Sequence, residues 1–138
     1  MQVRCFTRLV PLCLVFLVGC SSATVRVRGK VTVDGKPAVA ARVRFFAKDK
    51  IDSPPISEGR VQEDGSFVLT TLQPGDGVPS GTYKVVITWK NMTRSLGEER
   101  ETGPDKLKGK YADPKKTPLE IEIRSSSPDA IFDLPKPK

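Results

Sequence analysis

The chain has 138 residues, room for one domain and hardly two, and carries 23 Lys and Arg against 16 Asp and Glu, a formal charge of +7. It contains no His, which removes the commonest general base and metal ligand. Its three Cys, Cys5, Cys13 and Cys20, all lie near the start, so a mature form beginning at Cys20 would hold no internal disulfide and would stand on its apolar core alone.

Residues 1–8 contain Arg4 and Arg8 and no acid, and residues 9–18 form the apolar run LVPLCLVFLV. Gly19 and Cys20 follow, then Ser21, Ser22, Ala23 and Thr24. A basic start, a short apolar stretch and a small residue before a cut mark a secretory signal. The run is too short for a membrane span, which takes about 20 residues. Residues 1–19 are therefore expected to be a signal peptide and residues 20–24 a short tether. The ending Leu17-Val18-Gly19-Cys20 resembles the lipobox of bacterial lipoproteins. That resemblance implies that the Cys20 thiol receives a diacylglyceryl group, that the leader is cut just before it, and that the new amine is acylated. It makes a membrane the first expected partner, reached through lipidated Cys20, and places the protein in the cell envelope, facing the periplasm or the surface. Ser21 rather than Asp after the Cys points to the outer membrane.

From residue 25 onward a period of two dominates. Val25, Val27, Val31 and Val33 alternate with Arg26, Arg28, Lys30 and Thr32, which predicts a strand with one buried face. Asp34-Gly35-Lys36-Pro37 reads as a turn. Val39, Ala41, Val43 and Phe45 then alternate with Ala40, Arg42, Arg44 and Phe46 as a second strand. Residues 58–63 read as a short strand, Asp64-Gly65 as a hairpin turn, and Phe67, Val68 and Leu69 as its continuation. After the Pro74-Gly75-Asp76-Gly77 turn, Tyr83, Val85, Ile87 and Trp89 alternate with Lys84, Val86, Thr88 and Lys90. Val86 adds an apolar residue to the outer face, so this strand is expected to be central. Leu119, Ile121 and Ile123 alternate with Glu120, Glu122 and Arg124, and residues 131–134 suggest a last edge strand before Pro135 and the 135–138 tail. No stretch after residue 24 has a helical period, so the domain reads as all-β.

Charge bears on the pairing. A simple hairpin of the first two strands, with Val33 opposite Val39, would set Arg28 against Arg44 and Lys30 against Arg42, and like charges directly opposite are destabilising. The strand at 119–124 offers Glu120 and Glu122 instead. The first strand is therefore expected to pair with 119–124, with residues 34–38 crossing between sheets. The stretch 90–118 is polar and broken by Gly97, Gly103, Gly109, Pro104, Pro114 and Pro118. It reads as a long polar loop, a feature usually functional or disordered. Its Lys106, Lys108, Lys110, Lys115 and Lys116 form a basic patch.

The segments GKVTVDGKPAVAARVRFFA, VQEDGSFVLT and PSGTYKVVIT, with a later KYADP at Lys110–Pro114, resemble carboxypeptidase-regulatory-like, transthyretin-like domains over roughly residues 27–134. The family pattern is a G-x-V strand, a D-G-x-P turn, an A-x-V-x-F strand, a D-G-x-F hairpin and a G-x-Y-x-V-x-V strand. Ala40 departs from it, standing where Gly is common. The resemblance implies a seven-stranded Ig-like or transthyretin-like β-sandwich, here over residues 25–134, and non-catalytic roles.

No G-x-S-x-G, H-E-x-x-H or phosphate-binding loop is present. The acids fall mainly at turns, as Asp34, Asp64 and Asp76 do, where short carboxylates bond the backbone. No enzyme and no cofactor are expected. Glu63-Asp64-Gly65-Ser66 and Gly75-Asp76-Gly77 offer oxygen ligands without the acid density of a calcium loop, so no metal is expected. Trp89 and Tyr111 are the aromatic candidates for binding a sugar or peptide face, against the plainer reading that Trp89 is a rim residue and Tyr111 docks the loop. Tyr83 resembles a tyrosine corner, a structural device. Export and the lack of aromatic–basic interleaving argue against nucleic acid. The expected function is a structural or protein-interaction module on a lipid anchor, and the alternative is a carbohydrate- or peptide-binding accessory lipoprotein.

Overall fold

The computed structural model describes residues 23–125 and 129–138; the expected signal peptide and Cys20 lie outside the described residues. The chain is all-β. Two-residue strands β1 (Thr24–Val25), β3 (Lys36–Pro37) and β7 (Val78–Pro79) accompany the longer β2 (Arg28–Val33), β4 (Arg42–Ala47), β5 (Ser57–Arg60) and β6 (Ser66–Val68). The second half holds β8 (Gly81–Thr88), β9 (Asn91–Ser95), β10 (Glu98–Thr102), β11 (Glu120–Ile123) and β12 (Ala130–Leu134). One 3-10 turn, Lys48–Lys50, follows β4, and among the described residues no helix is long and apolar enough to cross a membrane.

Two four-stranded sheets carry the fold. The first has the order β11-β8-β4-β5, and in the second β2 lies between β12 on one side and β3 with β6 on the other. Alternation along the strands sends one set of side chains from each sheet into a shared core. Val43, Phe45, Val85 and Ile87 come from the first sheet, and Val31, Phe67, Phe132 and Leu134 from the second. Phe45 packs tilted on Tyr83 at 5.7 Å and Phe67 stacks on Phe132 at 6.4 Å. Each large side chain buried this way contributes about 1.5–3 kcal/mol, and two sheets facing one core fit a β-sandwich. As its two-faced apolar pattern predicts, β8 is an interior strand, with Val85, Val86 and Ile87 fully buried.

The first strand does not pair with 119–124. β2 runs parallel to β12, Gly29 opposite Ala130 and Val33 opposite Leu134, while its other edge takes β6 and the short β3. The expectation that β2 avoids the Arg-rich second strand does hold, because among the described residues β4 pairs with β5 and β8 and not with β2. Glu120 instead ties β11 to β8: it lies opposite Lys84, and its carboxylate bridges Lys84 at 3.0 Å and Lys48 at 2.6 Å, while Glu122 lies opposite Thr82 and pairs with Arg124 of its own segment. Charge complementarity therefore acts, but on a different neighbour. The crossing also comes later than expected, since residues 36–37 still pair with β2 and the chain changes sheet over 38–41.

That crossing explains why the second strand starts at Arg42 rather than Val39. Val39 is exposed, and Ala40 takes a φ of +65° so that its N–H reaches the Val61 carbonyl at 2.9 Å. This is the left-handed conformation that glycine adopts freely and an L residue only at some cost. Tyr83 makes the corner bond its position suggests, donating its hydroxyl to the Pro79 carbonyl at 2.7 Å.

The stretch 90–118 is not an irregular loop. β9 and β10 form an antiparallel hairpin turned at Leu96-Gly97, both residues at positive φ. The Glu101 carboxylate anchors its base, 2.9 Å from Arg42 and 3.6 Å from Arg60. Beyond the hairpin, residues 105–119 line the part of the β8 edge that β11 leaves open. Val85 N–H donates to the Leu119 carbonyl, Ile87 N–H to that of Tyr111, and the Thr117 hydroxyl to that of Val85.

Candidate functional site

β8 runs from the end where the described chain enters to the opposite end. β1 pairs with β7 immediately before β8 begins, and eight strand residues later, about 26 Å on, stands Trp89. Asp105 fixes the backbone there. One carboxylate oxygen accepts the Trp89 N–H at 2.8 Å and the Leu107 N–H at 3.1 Å, and the other accepts the Gly109 N–H at 3.1 Å. Lys106 N–H returns a bond to the Trp89 carbonyl at 2.7 Å. The indole is fixed separately, donating Nε1–H to the Val39 carbonyl at 2.9 Å, with Lys106 Nζ 4.7 Å from the ring centre.

The ends of β2 and β12 arrive beside it, joined by the bond from Asp34 N–H to the Leu134 carbonyl. Together they shape a hollow of about 260 Å³ lined by Trp89, Asp34, Lys36, Lys106 and Lys136. A second hollow of about 400 Å³ adjoins it across the 135–138 tail, where Lys108, Lys110 and Lys138 are added to Lys136. The Lys108 ammonium also donates to the main-chain oxygen of Lys138.

Of the sequence-predicted binding residues, the half-buried Trp89 lines this end. Tyr111 is buried, with 3% of its surface exposed, its carbonyl bonded to Ile87 N–H and Lys110 Nζ 5.3 Å from its ring. Its ring belongs to the core cluster and offers little face to a ligand. Cys20 lies outside the described residues. Lys115 and Lys116 leave the basic patch to pair with Asp52 and Asp113. Sequence reasoning overlooked Asp105, Lys36, Lys136 and Lys138. The available signal for Asp105 was a short acid after Pro104, two and four residues before the N–H groups it accepts.

The turn acids serve the backbone. Asp64 accepts the Ser66 hydroxyl at 2.6 Å and its N–H at 2.9 Å, which holds its carboxyl below the ordinary aspartate range. Asp76 accepts the N–H groups of Thr71, Leu72 and Gln73, and these hold its carboxyl down as well. Among the described residues no group of three or more His, Cys, Asp or Glu could hold a metal ion. Because the folded Asp76 carboxyl is the stronger acid, its contribution is complete above the ordinary aspartate value of about 4. The contribution is then lost as pH falls through the lowered folded value. Asp76→Asn is expected to lower the melting temperature at pH 6 and to flatten its decline between pH 5 and pH 2. Parallel melting curves for the two proteins would rule the carboxylate out as a source of acid sensitivity.

No family model, no curated protein and no solved structure matches the chain.

Proposed function

We propose that the protein is a lipid-anchored component of a bacterial cell envelope, with Cys20 as the acylated first residue and the outer membrane as its site. The observation that carries this is the sequence Leu17-Val18-Gly19-Cys20 at the end of a basic-then-apolar leader. The place of the first strand supports it. β1 begins at Thr24, so a few residues separate the lipid from the fold, and the domain stands directly on the bilayer.

The domain is a seven-stranded sandwich of the carboxypeptidase-regulatory-like, transthyretin-like type. In support, setting the two-residue β3 aside as part of the turn after β2 leaves β2, β4, β5, β6, β8, β11 and β12 in the two sheets. Its role is non-catalytic, an interaction module that presents a surface to an envelope partner. Asp64 and Asp76 are spent on turn N–H groups, which fits scaffolding better than acid–base work. The half-buried Trp89 beside an open hollow favours, within this reading, a carbohydrate-binding role over a purely structural one.

Detergent phase partitioning of cells expressing the full chain tests the anchor. The wild-type protein should enter the detergent phase and incorporate labelled fatty acid, since two or more acyl chains hold a protein stably on a bilayer. Cys20→Ser should move to the aqueous phase without label. A Cys20→Ser variant that partitions like wild type would overturn the anchor.

A further inference from the structure

The cations of this protein are unevenly matched. Lys48 and Lys84 share Glu120, Arg42 and Arg60 share Glu101, and Lys115, Lys116 and Arg100 each meet a carboxylate. Cations outside any ion pair among the described residues occur elsewhere too, as Arg28, Lys50 and Arg94 do, but at the Trp89 end they are gathered. Lys36, Lys106, Lys108, Lys110, Lys136 and Lys138 are exposed, and among the described residues no Asp or Glu side chain forms an ion pair with any of them. They line two adjoining hollows that share Lys136, where Asp34 is the one acid of the described lining and Lys108 also donates to the main-chain oxygen of Lys138. Like charges gathered within a screening length, about 10 Å at 0.1 M salt, repel one another, so this arrangement has a cost that an anionic ligand would offset.

We infer that this end of the domain is a binding site for an acidic polysaccharide, with the lysines taking its carboxylate groups and the fixed indole of Trp89 taking a sugar face. The inference rests on the envelope location and carbohydrate-binding reading proposed above. Three observations favour this ligand over other anions. The aromatic ring is locked through both its Nε1–H and its backbone N–H, with Lys106 Nζ 4.7 Å from its centre, so a sugar acid would meet ring and cation together as that lysine turns to its carboxylate, and the ring has little entropy left to lose on binding. The lysines span two hollows rather than one pocket, which suits a polymer of repeated charges. The site also lies about 26 Å along β8 from the end where the chain leaves β1 toward Cys20. A domain anchored at Cys20 therefore turns this end away from its own bilayer, which argues against the lipid headgroups beneath it.

Trp89 is the only tryptophan, so its fluorescence reports the site directly. The detergent-solubilised full chain should show a saturable emission change with polygalacturonate and none with neutral dextran. Raising salt from 50 to 200 mM should weaken binding by roughly two orders of magnitude through counterion release at the six lysines. Lys106→Gln with Lys136→Gln should weaken it about tenfold. Lys115→Gln with Lys116→Gln, an equal change in net charge elsewhere, should leave it unaltered. The proposal falls if polygalacturonate does not bind or if both double variants lose binding equally. It also falls if polyglutamate competes as well as polygalacturonate, which would make the partner an acidic protein, or if anionic vesicles do. A failed anchor would show in phase partitioning and leave this titration intact, whereas a failed site would show in the titration with partitioning intact.

Discussion

Gly29→Ala should destabilise the domain by about 3 kcal/mol, read as a fall in melting temperature on the order of 10 °C. Gly29 lies in β2 with Phe67 of β6 opposite on one edge and Ala130 of β12 on the other. A Cβ built there would stand 2.3 Å from Phe67 Cζ and 2.4 Å from the Ala130 carbonyl oxygen. Neither neighbour can give way cheaply. The Phe67 ring is fully buried and stacked on Phe132, and the Ala130 oxygen belongs to backbone that opens the parallel β2–β12 ladder. The methyl group must therefore push apart the sheet that joins the start of the fold to its end. Gly35→Ala is the useful comparison. It sits at φ +72° with nothing within 4 Å of a new Cβ, so its cost is conformational, about 1 kcal/mol. Denaturant melts that ranked Gly35→Ala as the more damaging change would refute the close-packing account.

Gly29 also shows where the sequence was legible and where it was not. The alternation of Val27, Val31 and Val33 marks the strand because period two is a property of the strand itself. What lies beside the strand depends on contacts across the molecule. The ladder from β2 to β12 joins residues about a hundred positions apart, and no local pattern encodes it. Charge pairing was a sound guide to which neighbours β2 avoids. It misplaced β11 because Lys48 and Lys84 form as good a partner for Glu120 as the cations of β2. The β9–β10 hairpin escaped notice for a related reason. Its residues, Asn91 to Ser95 and Glu98 to Thr102, are polar on both faces apart from the half-buried Met92, so burial leaves no alternation to read. It is set instead by the Leu96-Gly97 turn and by the Arg42–Glu101–Arg60 contact at its base.

The candidate site divides in the same way. Trp89 and the lysines of 106–110 could be picked out as residue types, since an aromatic residue and a run of like charge are visible in any sequence. That Lys36 and Lys136 join them could not, because β2 and β12 bring those residues in only through their parallel pairing. Tyr111 was a reasonable candidate by type, yet its ring is drawn into the core by the bond between its carbonyl and Ile87 N–H on the β8 edge. Asp105 resembled the other turn acids, and nothing local showed that one of the three N–H groups it accepts lies sixteen residues earlier.

That long-range bond makes Asp105→Ala the variant expected to couple stability to the site. The carboxylate is half-buried and accepts three N–H groups. Hydrogen bonds to a charged group are worth about 1.5–3 kcal/mol each, and partial exposure discounts them, so a loss of about 2 kcal/mol is expected overall. The consequences are local as well. Leu107, fully buried, is the apolar pin of the 105–110 turn, and Lys108 holds a positive φ of 54° that needs support from its neighbours. Without the carboxylate the turn should loosen, Lys106 should leave the indole, and Trp89 emission should shift to the red well below the melting temperature. Asp105→Asn keeps the oxygen that serves Trp89 and Leu107 but loses the one that serves Gly109, so it should fall between wild type and Ala on both measures. Gly29→Ala, compared below its own melting temperature, should leave Trp89 emission unchanged, because Trp89 and Asp105 lie outside the β2–β12 ladder that Gly29 opens. If Asp105→Ala lowered stability but left the emission and the binding of the folded protein as they are, Asp105 would be a turn acid like Asp76 and the lysines would owe their placement to something else.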